Sequence, residues 1–462
     1  MTNHVKDFVK RSLSKGFDAA HRQKINFNIG KYNAKVPEGK KQFVDVELVR
    51  ERAKNIKWRA IETLDQTLET FEYNFTKNGG TLLWAETADD AAQLILKICA
   101  DKGCTSVVKS KSMATEEIHL NDVLEKNGIE SVETDLGEYI QQLDGEAPYH
   151  IVTPAMHKSK EDVALLFHQK LGTAPNLTPQ ELTMVARKNL RVKYTEAQIG
   201  VTGANFIIAD TGSIAITENE GNARLSCAFP STHIVIVGIE KVIPSLTDLH
   251  LFWPLLSTFG TGQNLTVYNT IISGPRQATE TDGPTDMIVI LLDNGRTNIL
   301  KDPISRESLY CIRCGACLNA CPVYKNIGGH TYDTTYSGPI GSVITPQMHG
   351  QKEWKHLSFA SSLCGACTSV CAVKINLHEL LLHNRYQSVQ EGTSVLAENV
   401  SWKLWKRAML NRKMMNMGNA TLKNAVVNSL FSSWSKHRNK LQFPAETFNE
   451  IMVRKRKSDA PK

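Results

Sequence analysis

The spacing of apolar residues changes character along the chain. From Val46 to Phe75 apolar positions recur at helical intervals without Gly or Pro, which predicts two helices within a helical lead-in over residues 1–75. Beyond Gly79, short apolar runs alternate with helical segments, a pattern that favours a mainly parallel sheet in one α/β domain over residues 76–300. The predicted strands are the runs TLLWAE, TSVVKSK, ESVETD, YHIVTPA, ANFIIADTGSIAITENE, HIVIVG, LTVYNTIISG and MIVILLDNG.

Regular periodicity then fades over residues 301–390, which are rich in Cys, Gly and Pro, so we expect ligation to hold this region together. Helical periodicity returns from about Ile375, and residues 391–462 are predicted to form a basic helical tail. The longest unbroken apolar run has about six residues, far fewer than the roughly 20 that span a bilayer. The sequence therefore predicts no transmembrane helix.

The net charge of +7 is concentrated at one end of the chain. Residues 401–462 carry +11, which leaves the preceding 400 residues at −4. Trp402 and Trp405 alternate with basic residues there, so peripheral contact with anionic lipid, contact with an acidic protein and a solvated helix are all compatible with the pattern. No nucleic-acid-binding motif accompanies the charge. The N-terminus has no continuous apolar core typical of a secretory signal, and we expect a cytoplasmic location.

Seven of the ten cysteines lie between Cys311 and Cys371. The first four form C-x2-C-x2-C-x3-C-P, the bacterial ferredoxin run, in which three thiolates bind one iron-sulfur cluster and the fourth binds another. A zinc ribbon has no use for the third cysteine at this spacing, so the pattern favours iron-sulfur over zinc. The interleaving assigns two 4Fe-4S clusters: Cys311, Cys314, Cys317 and Cys371 for cluster one, and Cys321, Cys364 and Cys367 for cluster two.

Cluster two has only three cysteine ligands in this assignment. Ser361 stands three residues before Cys364, where the ferredoxin pattern would place a fourth cysteine. A serine oxygen, a histidine, water or substrate as the fourth ligand are all compatible with the pattern, and so is a 3Fe-4S cluster. The remaining cysteines, Cys99, Cys104 and Cys227, are predicted to be buried structural thiols.

The α/β region lacks the glycine-rich motifs of dinucleotide and nucleotide sites. In open α/β sheets, ligands bind at the carboxyl ends of the strands. Polar loops at the predicted strand ends supply candidates for binding a small carboxylate (Lys109, Lys111, Ser112 and Arg276). Gly212 would allow close backbone approach, and Thr211 and Ser213 would donate hydrogen bonds. Glu218 and Glu220 are candidates for acid/base chemistry. The alternative interpretation is that these lysines are solvated and the glycines merely form turns.

The chain resembles the lactate utilization B family of LUD-domain iron-sulfur proteins over nearly its whole length. The resemblance rests on KSKSMATEEIHLN, GVTGANFIIADTGSIAITENEGNARL and DGPTDMIVILLDNGRTNIL, and on CIRCGACLNACPVY, YSGPIGSVITP and SLCGACTSVC. It implies an isomerase/CoA-transferase-like α/β LUD domain followed by a ferredoxin-like, two-cluster helical domain, with the same seven cluster cysteines. Ala372 departs from the proline that usually follows the last cysteine in such proteins.

The resemblance also implies a function. The chain would be an iron-sulfur electron-transfer subunit of a multi-protein complex that oxidises L-lactate to pyruvate, with a second iron-sulfur protein and a second LUD protein as partners. Because no flavin or nicotinamide motif is present, the two-electron step needs a partner. One alternative is a LUD-domain enzyme that acts on a small carboxylate and carries structural or redox-sensing clusters. Another is a metal-stapled interaction scaffold.

Overall fold

A computed structural model describes residues 3–415, 417–430, 432–435 and 438–458. The chain divides into two compact units, the first ending at Glu391 and the second beginning at Gly392. Within the four described ranges, no helix combines the length and the apolar character that crossing a lipid bilayer requires.

The first unit opens with helices, each started by local chemistry. Asp18 and Asp45 precede the second and third helices, and the carboxylate of each accepts a backbone N–H of the first turn. The two helices predicted over residues 46–75 are confirmed as the third and fourth, which meet at Thr63. The bounds are α1 (Asn3–Gly16), α2 (Ala19–Lys40), α3 (Val46–Glu62) and α4 (Leu64–Lys77).

The strands of the described residues form two sheets. The larger is parallel throughout, with the strand order β1-β10-β7-β4-β2-β3, and the smaller has the order β8-β5-β6-β9 with β6 antiparallel to both neighbours. The bounds are β1 (Thr81–Ala85), β2 (Ser106–Lys109), β3 (Glu130–Glu133), β4 (Ile199–Gly203), β5 (Phe206–Ile208), β6 (Ser213–Glu218), β7 (Thr232–Gly238), β8 (Val242–Ile243), β9 (Tyr268–Ile272) and β10 (Asp286–Leu292).

Helices separate the strands of the larger sheet, as a parallel arrangement requires. Every residue of β7 is buried, because helices cover both faces of the sheet at its centre. The bounds are α5 (Ala88–Asp101), α6 (Met113–Glu117), α7 (Leu120–Lys126), α8 (Leu136–Asp144), α9 (Lys160–Leu171), α10 (Pro179–Glu196), α11 (Asn222–Ala228), α12 (Leu249–Thr261) and α13 (Arg296–Lys301).

The predicted parallel sheet is confirmed, but individual strands differ from the prediction. The run YHIVTPA forms no strand, although Tyr149 and Ile151 are buried. Its backbone is satisfied locally, since the N–H groups of Val152 and Thr153 donate to His150 Nδ1 at 3.1 and 3.2 Å. The sequence reading also missed β4 and β8, which are short.

The cysteine region packs on the α/β domain within the first unit. Tyr336 donates its hydroxyl to Glu117 Oε2 at 2.6 Å, and Tyr324 donates to the carbonyl of Tyr149 at 3.0 Å. Asn319 Nδ2 donates to Gly260 O at 3.2 Å. The helices of this region are α14 (Ala316–Ala320), α15 (Pro322–Ile327), α16 (Gly338–His349), α17 (Gln351–Phe359), α18 (Ala366–Ser369) and α19 (Leu377–Gln390).

The second unit is helical in its described part, as predicted for the tail. The indole rings of Trp402 and Trp405 meet edge to face with centroids 5.6 Å apart. Basic residues 454–457 lie in the last helix. The bounds are α20 (Leu396–Leu410), α21 (Arg412–Met415), α22 (Ala420–Leu430), α23 (Ser432–Ser435) and α24 (Phe448–Ser458).

Candidate functional site

Four cysteines surround one small cavity and are called the inner group: Cys311, Cys314, Cys317 and Cys371. Arg313 and otherwise apolar residues complete the lining, and three of the four cysteines are at least 91% buried. Burial raises the pKa of Cys314 to about 11 and that of Cys371 to about 12. Without a metal these thiols are neutral, so bound iron is the kind of group that would stabilise four thiolates in this apolar setting.

The remaining three cysteines of the region form the outer group: Cys321, Cys364 and Cys367. Their thiols are close enough for a charge on one to raise the pKa of another, and Cys367 acts in the same way on Cys317 of the inner group. Cys364 is exposed, unlike any member of the inner group. The structure thus brings together the same two sets that the spacing predicts, while their role as cluster ligands stays a prediction.

Each group contains a loop of the same backbone conformation. Arg313 and Gly315 have left-handed φ values of 61° and 78°, and Leu363 and Gly365 repeat them at 51° and 76°. A short helix begins directly after each glycine. A Cβ on Gly315 would also lie 2.9 Å from Val152 Cγ2, so both backbone conformation and space favour glycine there.

Ser361 occupies in the second loop the place that Cys311 occupies in the first. In the first loop, the N–H of Arg313 donates to Cys311 Sγ at 3.4 Å. In the second, the N–H of Leu363 donates to Ser361 Oγ at 3.2 Å. In both loops, the side chain two residues before the first left-handed residue accepts the backbone N–H of that residue. The acceptor is sulfur in the first loop and oxygen in the second.

Arg50 of α3 holds the end of the inner group. Its Nε and Nη2 donate to the carbonyl of Cys371 at 3.1 and 2.7 Å, and Nη2 also donates to Ser369 O at 3.0 Å. The Arg50 side chain is buried, and Nη1 pairs with Glu47 at 2.5 Å. The lead-in helices therefore help to position the last cysteine.

Cationic side chains lie beside Cys311. The Lys57 ammonium is fully buried and donates to the carbonyls of Glu240 and Val242 at 2.5 and 3.2 Å. Burial lowers the pKa of Lys57 to about 7, and burial together with Arg313 lowers the pKa of Lys241 to about 8. Both ammonium groups are close enough to Cys311 for its thiolate to favour their charged forms.

A larger cavity of about 260 Å³, the strand-end cavity, lies at the carboxyl ends of β2, β4 and β7. The predicted residues Lys111, Ser112, Glu218 and Glu220 line it, as does Asp135. Burial raises the pKa of Glu218, and burial with the nearby Asp135 raises the pKa of Glu220 to about 7.

Two predicted residues do not line this cavity. Lys109 is fully buried and pairs with Glu116 and Glu133 at 2.8 and 2.6 Å. Burial alone would lower the pKa of Lys109, but these carboxylates raise it above its ordinary value. Arg276 is exposed on the loop that leads into the amino end of β10, the opposite edge of the sheet. The Lys109 ion pairs are structural, and Arg276 lies outside the cavity.

The predicted turn at Thr211–Ser213 also lies outside the lining of the cavity. Gly212 has φ +60° and packs against the backbone of α4 beside Asn74 and Phe75. A glycine at position 212 therefore allows close packing against α4 and does not face a ligand in the strand-end cavity.

Sequence reasoning missed several residues that line the cavity. Arg296 donates to Glu240 Oε2 at 2.5 Å and, through two nitrogens, to the carboxylate of Glu117 at 2.9 Å each. Although burial would raise the pKa of Glu240, Arg296 and Arg313 lower it to about 2. No local motif marks this network, because its members come from α6, the turn after β7, α13 and the cysteine region.

Glu146, His157 and His330 form a separate group with a metal-compatible arrangement. Glu146 Oε2 already pairs with His157 and with Lys158 at 3.0 Å each. His330 Nε2 bonds to the carbonyl of Ala147 at 2.7 Å. These contacts engage one nitrogen of each histidine and the Glu146 carboxylate, while His157 Nδ1 is buried without a hydrogen-bond partner among the described residues. A cation there would compete with Lys158 for Glu146.

Two family models match the chain: the LUD domain over residues 68–292 and the 4Fe-4S dicluster domain over residues 307–375. Fold and cysteine arrangement thus define a LUD-domain iron-sulfur protein. Lactate utilization protein B of Bacillus velezensis is 45% identical over 371 residues, covering 80% of this chain and 78% of its own. The protein of the same name from Bacillus licheniformis is 44% identical over 383 residues, covering 82% and 80%.

The chain belongs to the lactate utilization protein B family. This confirms the predicted resemblance, the fold class and iron-sulfur in preference to zinc. Among solved structures, a DUF162 family protein from Deinococcus radiodurans is 13% identical, with a TM-score of 0.29, over 50% of this chain and 98% of its own.

Proposed function

We propose that this protein is an iron-sulfur electron-transfer subunit of a cytoplasmic multi-protein system that oxidises L-lactate to pyruvate. The observation that carries the proposal is the adjacency of the inner and outer cysteine groups, because α14, which holds Cys317, packs against α18, which holds Cys367. The names of the relatives supply the substrate. Lactate oxidation releases two electrons and two protons, whereas each cluster accepts one electron, so a pair of neighbouring clusters suits a stepwise relay.

The inner group would hold cluster one with four thiolates, and the outer group would hold cluster two with three. When bound, the clusters supply one-electron transfer. The protein contributes the two left-handed loops that direct cysteines toward a common centre, and it excludes water from the inner group by burial. Reducing cytoplasm is the compartment in which such thiols stay available for iron.

Ser361 is the residue best positioned to complete cluster two. Its hydroxyl occupies in the second loop the position that the Cys311 thiol occupies in the first. The oxygen of serine is a harder ligand than a thiolate sulfur. A serine ligand on cluster two would therefore be exchanged more easily than a cysteine at the same iron. This position is also next to Cys364, the most exposed cysteine of the region.

Exposure suggests the direction of the relay. Cluster one would lie inside the protein against the α/β domain, whereas cluster two would reach the surface at Cys364. A second iron-sulfur protein of the same system would exchange electrons most readily there, and a second LUD protein would complete the assembly. The partner supplies the two-electron chemistry for which this chain carries no flavin or nicotinamide motif.

Anaerobic purification followed by iron, sulfide and EPR analysis tests the cofactors. We expect about eight iron and eight sulfide per chain for two 4Fe-4S clusters, or about seven iron if cluster two is 3Fe-4S. Stoichiometric zinc without sulfide would exclude the proposal. Addition of L-lactate with the partner proteins should then bleach the visible cluster absorption, and intact clusters that L-lactate cannot reduce under these conditions would exclude the relay.

A further inference from the structure

The strand-end cavity is shared between the sheet and the inner cysteine group. Its first wall follows the carboxyl ends of β2, β4 and β7, and its second wall includes Arg313, Cys314 and Tyr336 of the cysteine region. Cys314 also lines the small cavity among the inner cysteines. A molecule in the strand-end cavity would therefore touch the loop that surrounds the predicted site of cluster one.

The size of the cavity favours a small ligand. Its volume of about 260 Å³ is below the roughly 300–1,000 Å³ that is usual for pockets of drug-sized ligands. Apolar side chains such as Ile151 and Leu256 line it together with the charged groups. The space suits a molecule with a few heavy atoms and a single charged end.

Four cationic side chains line the cavity, and two of them already have partners within the protein. The Arg296 guanidinium donates to Glu117 and Glu240, as described above. The Lys111 ammonium donates to the carbonyl of Val152 at 2.7 Å. Arg296 is held along the wall by these contacts, whereas the Lys111 ammonium keeps two further N–H donors.

The other two cations have donors to spare. Arg313 pairs with Glu240 through Nη2 at 3.3 Å, but its Nη1 is buried without a hydrogen-bond partner among the described residues. Within the same part of the chain, no hydrogen bond or ion pair engages the Lys241 ammonium. A buried donor without an acceptor is destabilising, and an anionic ligand would supply the acceptor.

The acidic residues of the cavity limit the charge of the ligand. Glu218 accepts the N–H groups of Ala223 and Arg224 at 2.8 and 3.0 Å, and Glu220 accepts the N–H of Leu136 at 3.0 Å. These contacts hold the carboxylates in place along the wall. Because Arg313 is already paired with the ionised Glu240, less than two positive charges remain for a ligand, and the cavity favours a monoanion over a dianion.

We propose that the strand-end cavity binds a short monocarboxylate, with its carboxylate on Arg313 Nη1 and the Lys241 ammonium. The identity of that acid as a 2-hydroxy or 2-oxo acid rests on the proposed function, whereas the anion site itself rests on the cavity. A hydroxyl or carbonyl at carbon 2 would face the remaining polar wall. The ligand would thus lie against the Cys314 loop, beside the predicted cluster.

Calorimetric titration of the anaerobically purified holoprotein tests the site. The probes are L-lactate, pyruvate, the neutral amide of lactate and inorganic phosphate. We expect L-lactate or pyruvate to bind once per chain, with the amide weaker by about tenfold or more because it cannot form charge-assisted hydrogen bonds. Equal binding of lactate, pyruvate and the amide, no binding of either acid, or tighter binding of phosphate would overturn the proposal.

Variants locate the binding. Lys241→Gln and Arg313→Gln should each weaken the binding of the acid by about tenfold or more. The matched control is Arg276→Gln, which removes a cation from the exposed loop outside the cavity and should bind like the wild type. Unchanged affinity in Lys241→Gln, or an equal loss in Arg276→Gln, would contradict the assignment.

Iron and sulfide content of the same samples separates this site from the electron relay. Full cluster content without binding of either acid would reject the carboxylate site and leave the relay standing. Binding of the acid by protein that contains zinc and no sulfide would reject the relay and leave the site standing. Arg313 lies in the first loop, between Cys311 and Cys314, so its variant is interpreted only if its cluster content equals that of the wild type. If it does not, the result for Lys241→Gln decides.

Discussion

The inner and outer cysteine groups share one loop conformation but differ in surroundings. The inner group is buried, lies beside Lys57, Lys241 and Arg313, and adjoins the strand-end cavity. The outer group reaches the surface at Cys364 and has Ser361 where the inner group has a cysteine. The same sequence motif therefore specifies the geometry of ligation, while the rest of the fold decides what each centre can meet.

Removing one cysteine from each group should give the largest difference between the two groups. Cys314→Ala and Cys364→Ala should each lose about half of the iron, because each cluster depends on its full ligand set. Only Cys314→Ala should also lower the thermal midpoint by several degrees, because the inner group lies within the core that joins the cysteine region to the sheet. Iron analysis and thermal unfolding measure both effects, and equal midpoints would argue against different structural roles.

Metal removal should distinguish the groups by rate. A chelator added with mild oxidant should reach the exposed Cys364 side first, so about half of the iron should be lost before the signal of the inner cluster declines. EPR and iron content during the treatment would follow the order. Loss of both clusters in one phase would show that burial of the inner group gives it no protection.

Arg50 tests whether the inner group depends on the lead-in helices. Arg50→Met leaves the carbonyls of Ser369 and Cys371 without their charged donor, and we expect stability to fall by about 2–3 kcal/mol. Lys374→Met is the matched control, since it removes only solvent-exposed ion pairs with Glu51 and Glu47, each worth at most about 1 kcal/mol. Thermal unfolding of both variants provides the measurement; similar losses would contradict a special role for Arg50.

Ser361→Cys should make the two groups more alike. A fourth thiolate in the second loop should slow the loss of cluster two to a chelator severalfold and change its EPR signal, with little effect on cluster one. Ser14→Cys, which adds an exposed thiol on α1 outside the second loop, is the control and should behave like the wild type. An unchanged EPR signal and chelation rate in Ser361→Cys would mean that this position does not face the cluster.

The sequence predicted those features that local spacing determines. Ligation fixes the intervals between cysteines, so both groups were recognisable, and the buried run of β7 was recognisable as a strand. Strand β4 was missed because its five residues include Gly200 and Gly203, which weaken the strand signal. The run after Tyr149 was misread because burial gives it a strand-like composition, although His150 satisfies its backbone.

The cavity was harder to predict, because its residues come together only in three dimensions. Lys111 and Glu218 were found from loops at strand ends. Arg276 also follows the carboxyl end of a strand, but that strand is β9 of the smaller antiparallel sheet, whose other end pairs with Glu218. A sequence does not show which sheet a strand joins. Lys241 and Arg313 carry no shared motif. Their juxtaposition depends on the packing of the cysteine region against β7.

The contact between Arg50 and Cys371 spans 321 positions of the chain. During synthesis the arginine leaves the ribosome long before its acceptor exists, and the entire α/β domain is made in between. The last thiol of the inner group likewise emerges only after the other three. The closure around iron that we propose for that group, and the docking of the third helix on Cys371, would therefore come late in biogenesis, when nearly the whole first unit has already been translated.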